Sequence, residues 1–239
     1  ADLVIEKVNE VYLKIETEPH VEYELRDRFT FEVPKMKFMP QYRKRHWNGE
    51  IHLFDIRTKR IYVGLLDKVI AFCEKAGYTY KFEPNKFYGL PFEVNEMVSP
   101  EGVKDFMASI TPLKPRDYQI EAVSDALRYN RKLLISPTAS GKSFMIYSIV
   151  RFFVNAGKKI LLVVPTTSLV EQMYKDFEDY GWDVEKYCHR VYAGKDKHSD
   201  YSVTITTWQS IYKLDRKYFN NFDVVIGDEA HLFKSKSLV

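Results

Sequence analysis

One stretch, residues 132–155, limits what this chain can fold into more than any other. Lys132 to Ser136 is an apolar run that reads as a strand. Pro137-Thr138-Ala139-Ser140-Gly141-Lys142-Ser143 follows it, and residues 144–154 carry apolar side chains at helical spacing. A strand that passes through a short loop straight into a helix is half of a βαβ unit. It therefore implies a mostly parallel sheet with helices on its faces. The loop also has a chemical consequence. The first N–H groups of a helix lack partners and sit at the positive end of its dipole, so Ser140 to Ser143 read as a cradle for phosphate. Lys142 would reach the β and γ phosphates of ATP, the Ser143 hydroxyl would hold Mg²⁺, and Thr138, Ala139, Ser140 and Gly141 would line the loop. The strict phosphate-loop pattern has glycine where this chain has Ser136, and Thr138 is followed by Ala139 rather than a second glycine.

Some ninety residues on, Phe222-Asp223-Val224-Val225-Ile226-Gly227 has the signature of a buried strand, and it ends in Asp228-Glu229-Ala230-His231. Open α/β sheets bind ligands at the carboxyl ends of their strands, where these two carboxylates fall. Asp228 is the expected magnesium-side residue and Glu229 the expected base for an attacking water. Between loop and acidic box the pattern alternates. It predicts a helix from Arg116 to Tyr129, the helix Lys142 to Asn155 stopped by Gly157, a strand Lys159 to Val164, a helix Ser168 to Tyr180 and a strand near Val203 to Thr206.

The preceding residues read differently. Val11 to Ile15 alternates like a strand, Pro19 opens a helix through Arg28, and residues 29–38 resemble two strands around Pro34. Residues 50–55 and 60–63 look like a hairpin, and a helix from Leu65 to Ala76 stops at Gly77. The expected organisation is a small α+β domain over residues 1–98, a proline-marked linker over 99–115 with one short helix near Gly102 to Ile110, and an α/β domain over 116–239. Charge is distributed unevenly. Residues 1–34 hold four basic against nine acidic side chains, whereas residues 35–60 hold eight basic against two, so a polyanion would prefer the second stretch. Within it, Arg43-Lys44-Arg45-His46-Trp47 interleaves cations with an aromatic. Two readings compete here: a displayed DNA contact, or a solvated turn whose Trp47 packs inward.

Nothing approaches the roughly 18 continuous apolar residues of a membrane span, and the first residues lack a signal-peptide pattern. A cytoplasmic protein without membrane contact is expected. Cys73 and Cys188 stand alone, as packed thiols do, so no metal beyond nucleotide-bound Mg²⁺ is expected.

Three further stretches define the kind of nucleotide site. Lys114-Pro115-Arg116-Asp117-Tyr118-Gln119 precedes the phosphate loop. Val163-Val164-Pro165-Thr166-Thr167-Ser168-Leu169-Val170-Glu171-Gln172 follows the second strand, and Thr206-Thr207-Trp208-Gln209-Ser210 follows a later one. In this order, with the loop (a Walker A motif) and the acidic (DEAH) box, they resemble the first motor domain of the superfamily two helicases and translocases. Within that superfamily the chain looks like the UvsW-type phage ATP-dependent DNA helicases of recombination and replication-fork repair. The likeness extends to Tyr23-Glu24-Leu25-Arg26-Asp27-Arg28-Phe29 and to Tyr42-Arg43-Lys44-Arg45-His46-Trp47-Asn48-Gly49-Glu50-Ile51.

The resemblance implies a RecA-like fold for the motor part, Arg116 and Gln119 at the nucleotide, and nucleic-acid contacts through Thr166, Thr207, Trp208 and Gln209. It also implies ATP-driven remodelling of branched DNA, and a second motor domain with an arginine finger C-terminal to residue 239, as though the sequence were truncated. His231 would couple the acidic box to neighbouring motor elements. Read from the residues alone, each contact has a plainer alternative. Gln119 offers an amide to an adenine edge or is an exposed residue at a helix start. Thr166 and Thr207 bind phosphate oxygens or cap helices. Trp208 stacks on a base or is buried. The residues do not separate DNA from RNA, nor a helicase from a restriction-enzyme motor or from a module that binds DNA and nucleotide without turnover.

Overall fold

Alternation opens the structure as it opens the sequence. Leu3 and Ile5 turn inward on β1 (Leu3–Lys7), and Leu13 and Ile15 do so on its antiparallel partner β2 (Tyr12–Thr17). The computed structural model describes residues 1–92, 94–129, 131–192 and 200–232, and the chain divides into two units, Ala1–Glu93 and Val94–Val239.

In the first unit β2 leads into α1 (Pro19–Arg28), whose first-turn proline has no hydrogen bond to lose there. Then come β3 (Thr30–Glu32), the short α2 (Pro40–Arg43), β4 (Glu50–His52), β5 (Arg60–Tyr62), α3 (Leu66–Ala76) and β6 (Tyr80–Glu83). The sheet runs β5-β2-β1-β6, with β6 parallel to β1. Val21 and Leu25 of α1 and Val69 and Cys73 of α3 join its inward residues in one core. α3 stops at Gly77, which takes a left-handed φ of 77°.

Two expectations for this unit are corrected. Residues 29–38 give one strand, β3, and then a 3₁₀ turn at Met36–Phe38, because Lys35 adopts a left-handed φ of 61° that ends the extended run. The expected hairpin is also absent. A backbone bridge joins Asp55 to Arg60, but β4 pairs with β3 and β5 with β2, so its two arms belong to different sheets.

The second unit contains α4 (Pro100–Ser109), α5 (Asp117–Arg128), α6 (Lys142–Asn155), β7 (Ile160–Val164), α7 (Thr167–Asp179), α8 (Val184–Tyr187), β8 (Cys188–Val191), β9 (Val203–Thr207), α9 (Trp208–Ile211), α10 (Arg216–Phe219) and β10 (Val224–Gly227). Its sheet is entirely parallel, in the order β10-β7-β9-β8. Every residue of β7 and β9 is buried, as expected for strands covered by helices on both faces. The architecture is thus α/β, a RecA-like parallel sheet preceded by a small α+β unit.

Here too the structure departs from the sequence reading. Residues 132–136 join no ladder. Leu133 and Ile135 are 69% and 92% exposed, and β10, at the sheet's edge, leaves Val225 67% exposed. A strand is defined by its hydrogen-bonded neighbour, which an apolar run cannot reveal. The division between units falls after Glu93. The short helix expected near Gly102 to Ile110 is present as α4, but rather than lying in a linker it buries Val103 and Met107 in the second unit's core alongside Ile120 and Val123 of α5.

Candidate nucleotide site and basic loop

The phosphate loop is shaped by two left-handed residues, Ala139 (φ 63°) and Gly141 (φ 79°), the second being the N-cap of α6. For alanine that conformation is strained, and such strain persists where surrounding bonds hold it. Those bonds are present. The Ser140 N–H donates to the Pro137 carbonyl at 3.3 Å, and the Ser136 and Ser140 hydroxyls bond each other. The Ser140 carbonyl accepts from both Gln119 Nε2 and the Tyr118 hydroxyl, each at 2.9 Å. As a result, the N–H groups of Gly141, Lys142 and Ser143 donate to no other group among the described residues, and they open at a helix N-terminus.

Gln119 is buried rather than displayed, with both ends of its amide engaged. Oε1 accepts from the Arg116 N–H at 3.0 Å while Nε2 holds the loop. The exposed-glutamine alternative is thereby excluded, and the amide keeps a second N–H and a second lone pair beyond these two bonds. Arg116 is exposed, its guanidinium 3.3 Å from the Tyr118 hydroxyl. Tyr118 is a site residue that the sequence reading passed over. The only signal was its place one residue before Gln119, on the turn that faces the loop.

Across the site, the Asp228 N–H donates to the Val163 carbonyl at 2.9 Å, extending the β10–β7 ladder and fixing where the acidic box begins. Asp228 is half-buried, which pushes its carboxyl above the ordinary range, and its Oδ1 accepts from the Glu229 N–H at 2.9 Å. Glu229 takes a left-handed φ of 52°. Its carboxylate forms an ion pair with Lys142 through Oε1, while Oε2 lies 3.2 Å from His231 Nδ1. The Lys142 bond is the chief cause that lowers the Glu229 pKa, and the same bond raises that of Lys142. Residues 87 positions apart are thus joined at the carboxyl edge of the sheet.

The expected nucleic-acid contacts are placed less uniformly. Thr166 is exposed at the end of β7 and caps α7, its Oγ1 accepting from the Leu169 N–H at 3.3 Å. Thr207 is buried and its hydroxyl bonds Ser210 at 2.9 Å. Trp208 is half-buried against Phe219, its indole N–H enclosed without an acceptor among the described residues. The structure thus brings out the buried-aromatic alternative. Gln209 is exposed beside it.

In the first unit, Arg43 ends α2, and Lys44 and Arg45 follow it, Arg45 at a left-handed φ of 56°. All three are exposed and none forms an ion pair among the described residues; Arg43 Nε donates to the Lys37 carbonyl at 3.3 Å. Trp47 is half-buried with Nε1 bonded to the Glu50 carbonyl at 2.7 Å, so it anchors the loop. Gly49 has a φ of 88°, at which an L side chain is strained, and a Cβ there would lie 1.9 Å from Met36 Sδ, which would have to move. Not all of the basic stretch is available. Lys59 is bound to Glu16 and Glu22, each at 3.1 Å.

Residues 112–238 match the family described as type III restriction enzyme, res subunit. The chain belongs to that family. Residues 3–83 match a second family, described as DNA helicase UvsW, N-terminal. The chain is 30% identical over 238 residues to the ATP-dependent DNA helicase uvsW of Enterobacteria phage T4, covering 95% of this chain and 46% of that protein. A crystal structure of the UvsW helicase from bacteriophage T4 superposes with a TM-score of 0.80 at 29% identity, covering 99% of this chain and 86% of that one. A further relative, the DNA 3'-5' translocase XPB2 of Sulfurisphaera tokodaii, is 32% identical over 121 residues, 51% of this chain and 26% of its own length. The chain thus spans about half or less of the curated relatives it matches. The UvsW-type resemblance holds through both units. The res-subunit match contains the phosphate loop, the acidic box and all the motor-unit residues just described.

Proposed function

We propose that this chain is the DNA-holding and ATP-binding part of a helicase or translocase that remodels branched DNA in recombination and replication-fork repair, in a host cytoplasm if it is phage-encoded. In the intact protein a second motor domain would follow it. The observation that carries the reading is the meeting of Lys142 and Glu229 beside a helix N-terminus whose N–H groups are open.

Each part has a task. The N–H groups of Gly141 to Ser143 receive phosphate oxygens, and Lys142 turns from Glu229 to the β and γ phosphates. Ser143 and Asp228 offer hard oxygen donors at the same edge, a set that suits Mg²⁺ as a nucleotide carries it. Bound there, Mg²⁺ supplies charge neutralisation at the phosphate oxygens. Glu229, released from Lys142 while the triphosphate is seated, becomes a carboxylate free to take a proton from the attacking water. Arg116, Tyr118 and Gln119 set the loop and face the base-binding side. Thr166 and Gln209, exposed just beyond β7 and β9, contact the nucleic acid, while buried Thr207 sets that edge through its bond to Ser210 and Trp208 supports it from the core. Arg43, Lys44 and Arg45 neutralise backbone phosphates, and Trp47 fixes their loop.

ATP turnover measured with duplex, forked and single-stranded DNA and with RNA tests this. Stimulation greatest with forked DNA supports the reading. Stimulation by RNA alone, or none with tight nucleotide binding, replaces it with an RNA motor or a binding module.

A further inference from the structure

The basic loop displays an aromatic that the phosphate contacts leave unexplained. Phe38 is 72% exposed and its neighbour Met39 39%. Single exposed apolar residues are ordinary on protein surfaces, and alone this one means nothing. Its setting is what distinguishes it. The turn that carries it is tightly held. Met36 N–H donates to the Val33 carbonyl at 3.1 Å, Phe38 N–H to Lys35 at 3.0 Å and Met39 N–H to Met36 at 2.8 Å, while Arg43 Nε grips the Lys37 carbonyl. Met36 turns inward against Gly49, so the turn already has its apolar anchor, and Phe38 is the side chain left pointing outward. The same turn and the α2 segment bonded to it, through Arg43 N–H to the Met39 carbonyl at 3.1 Å, carry Lys35, Lys37, Arg43, Lys44 and Arg45, all exposed and none ion-paired among the described residues.

We infer that Phe38 is a stacking finger for an unpaired base at a DNA branch, held at the strand by the surrounding cations. Resting on the reading of this loop as a DNA contact, the inference assigns the loop its preferred substrate, a junction with opened base pairs. Cations alone hold any duplex, because phosphates carry no structural signature of a branch. An aromatic within reach of the same backbone adds a contact that requires an exposed π-face. Apolar side chains among Arg and Lys act in this way on unstacked steps and single strands. An exposed ring on a turn whose exposed cations form no ion pair among the described residues does not suit an apolar protein partner, whose approach would bury those charges.

The test is fluorescence anisotropy on the full chain with a continuous duplex and a fork of equal length, the fork carrying 2-aminopurine at its branch. Phe38→Ala is expected to bind the duplex within about twofold of the unmodified chain and the fork about tenfold more weakly, in the range of one lost base–aromatic stack, with the 2-aminopurine response lost. Phe38→Trp should restore both, with quenching of the new indole on the fork. Fork binding that survives Phe38→Ala, or an equal loss on both DNAs, overturns the inference. A parallel variant, Arg43→Glu with Lys44→Glu and Arg45→Glu, separates the two levels. If it binds duplex normally, the DNA reading of the loop fails and Phe38 falls with it; if it loses duplex while Phe38→Ala keeps the fork, stacking alone is refuted.

Discussion

The phosphate loop and the basic loop are built alike at the backbone and oppositely at the side chains. Each uses left-handed residues to present its surface, Ala139 and Gly141 in one and Lys35, Arg45 and Gly49 in the other. In the phosphate loop the working cation already has an internal partner, since Lys142 is paired with Glu229. In the basic loop Arg43, Lys44 and Arg45 have none among the described residues. A ligand at the first site must displace a carboxylate, so binding and the release of Glu229 are one event. At the second nothing has to be displaced, so DNA should bind in proportion to charge and respond steeply to salt.

The largest expected effect tests the first half of that contrast. Lys142→Ala should lower DNA-stimulated ATP turnover by about 10² to 10³, the usual loss of one electrostatic group at a developing charge, with DNA affinity unchanged in anisotropy titrations. Near-normal turnover would remove Lys142 from the site. Next comes Gly141→Ala. The new Cβ would lie 2.5 Å from Gln119 Nε2, at a left-handed φ. Strain of that kind costs about 1 to 3 kcal/mol, so a lower urea midpoint and lost binding of a fluorescent ATP analogue should appear together; unaltered binding would mean that the loop rearranges freely.

Glu exchanged for Arg43, Lys44 and Arg45 together should flatten the plot of log affinity against log salt by about 2.7, at roughly 0.9 per phosphate. An unchanged slope in a folded variant would leave the loop a solvated face. The smallest effect concerns pH. Because Lys142 lowers the Glu229 pKa, this pair supports the fold fully above the ordinary carboxylate range and ceases to as pH falls through the lowered value. Thermal melts across that range should differ slightly between the unmodified chain and Glu229→Gln, and the difference should vanish at the acid end.

Much of this was readable in advance, and what was not has physical causes. α6 was legible to the residue because a helix carries its own signals, a loop glycine before it and Gly157 behind. The parallel sheet followed from the alternation of strands and helices. Residues 132–136 were misread because apolar content does not reveal a ladder partner, and the second of the two strands expected around Pro34 was misread because nothing local foretells that Lys35 turns left-handed. That the loop and the acidic box would meet was legible from their places at the carboxyl edge of the sheet, and Lys142 does reach Glu229. The reading failed where a contact is tertiary. Nothing near Gln119 in sequence tells that its amide is used by Ser140, or that Tyr118 shares the same carbonyl.

Nucleotide affinity of Glu229→Gln, read with a fluorescent ATP analogue and Mg²⁺ beside the unmodified chain, tests the shared Lys142–Glu229 site most directly. Removing the competing carboxylate charge leaves Lys142 available, so affinity should be equal or higher, while hydrolysis by the same variant in the presence of forked DNA falls by about 10² to 10⁴ with the loss of its base. Affinity that collapses along with turnover would contradict the account, making Glu229 a structural or metal-holding residue and the ion pair a feature of the fold rather than of the reaction.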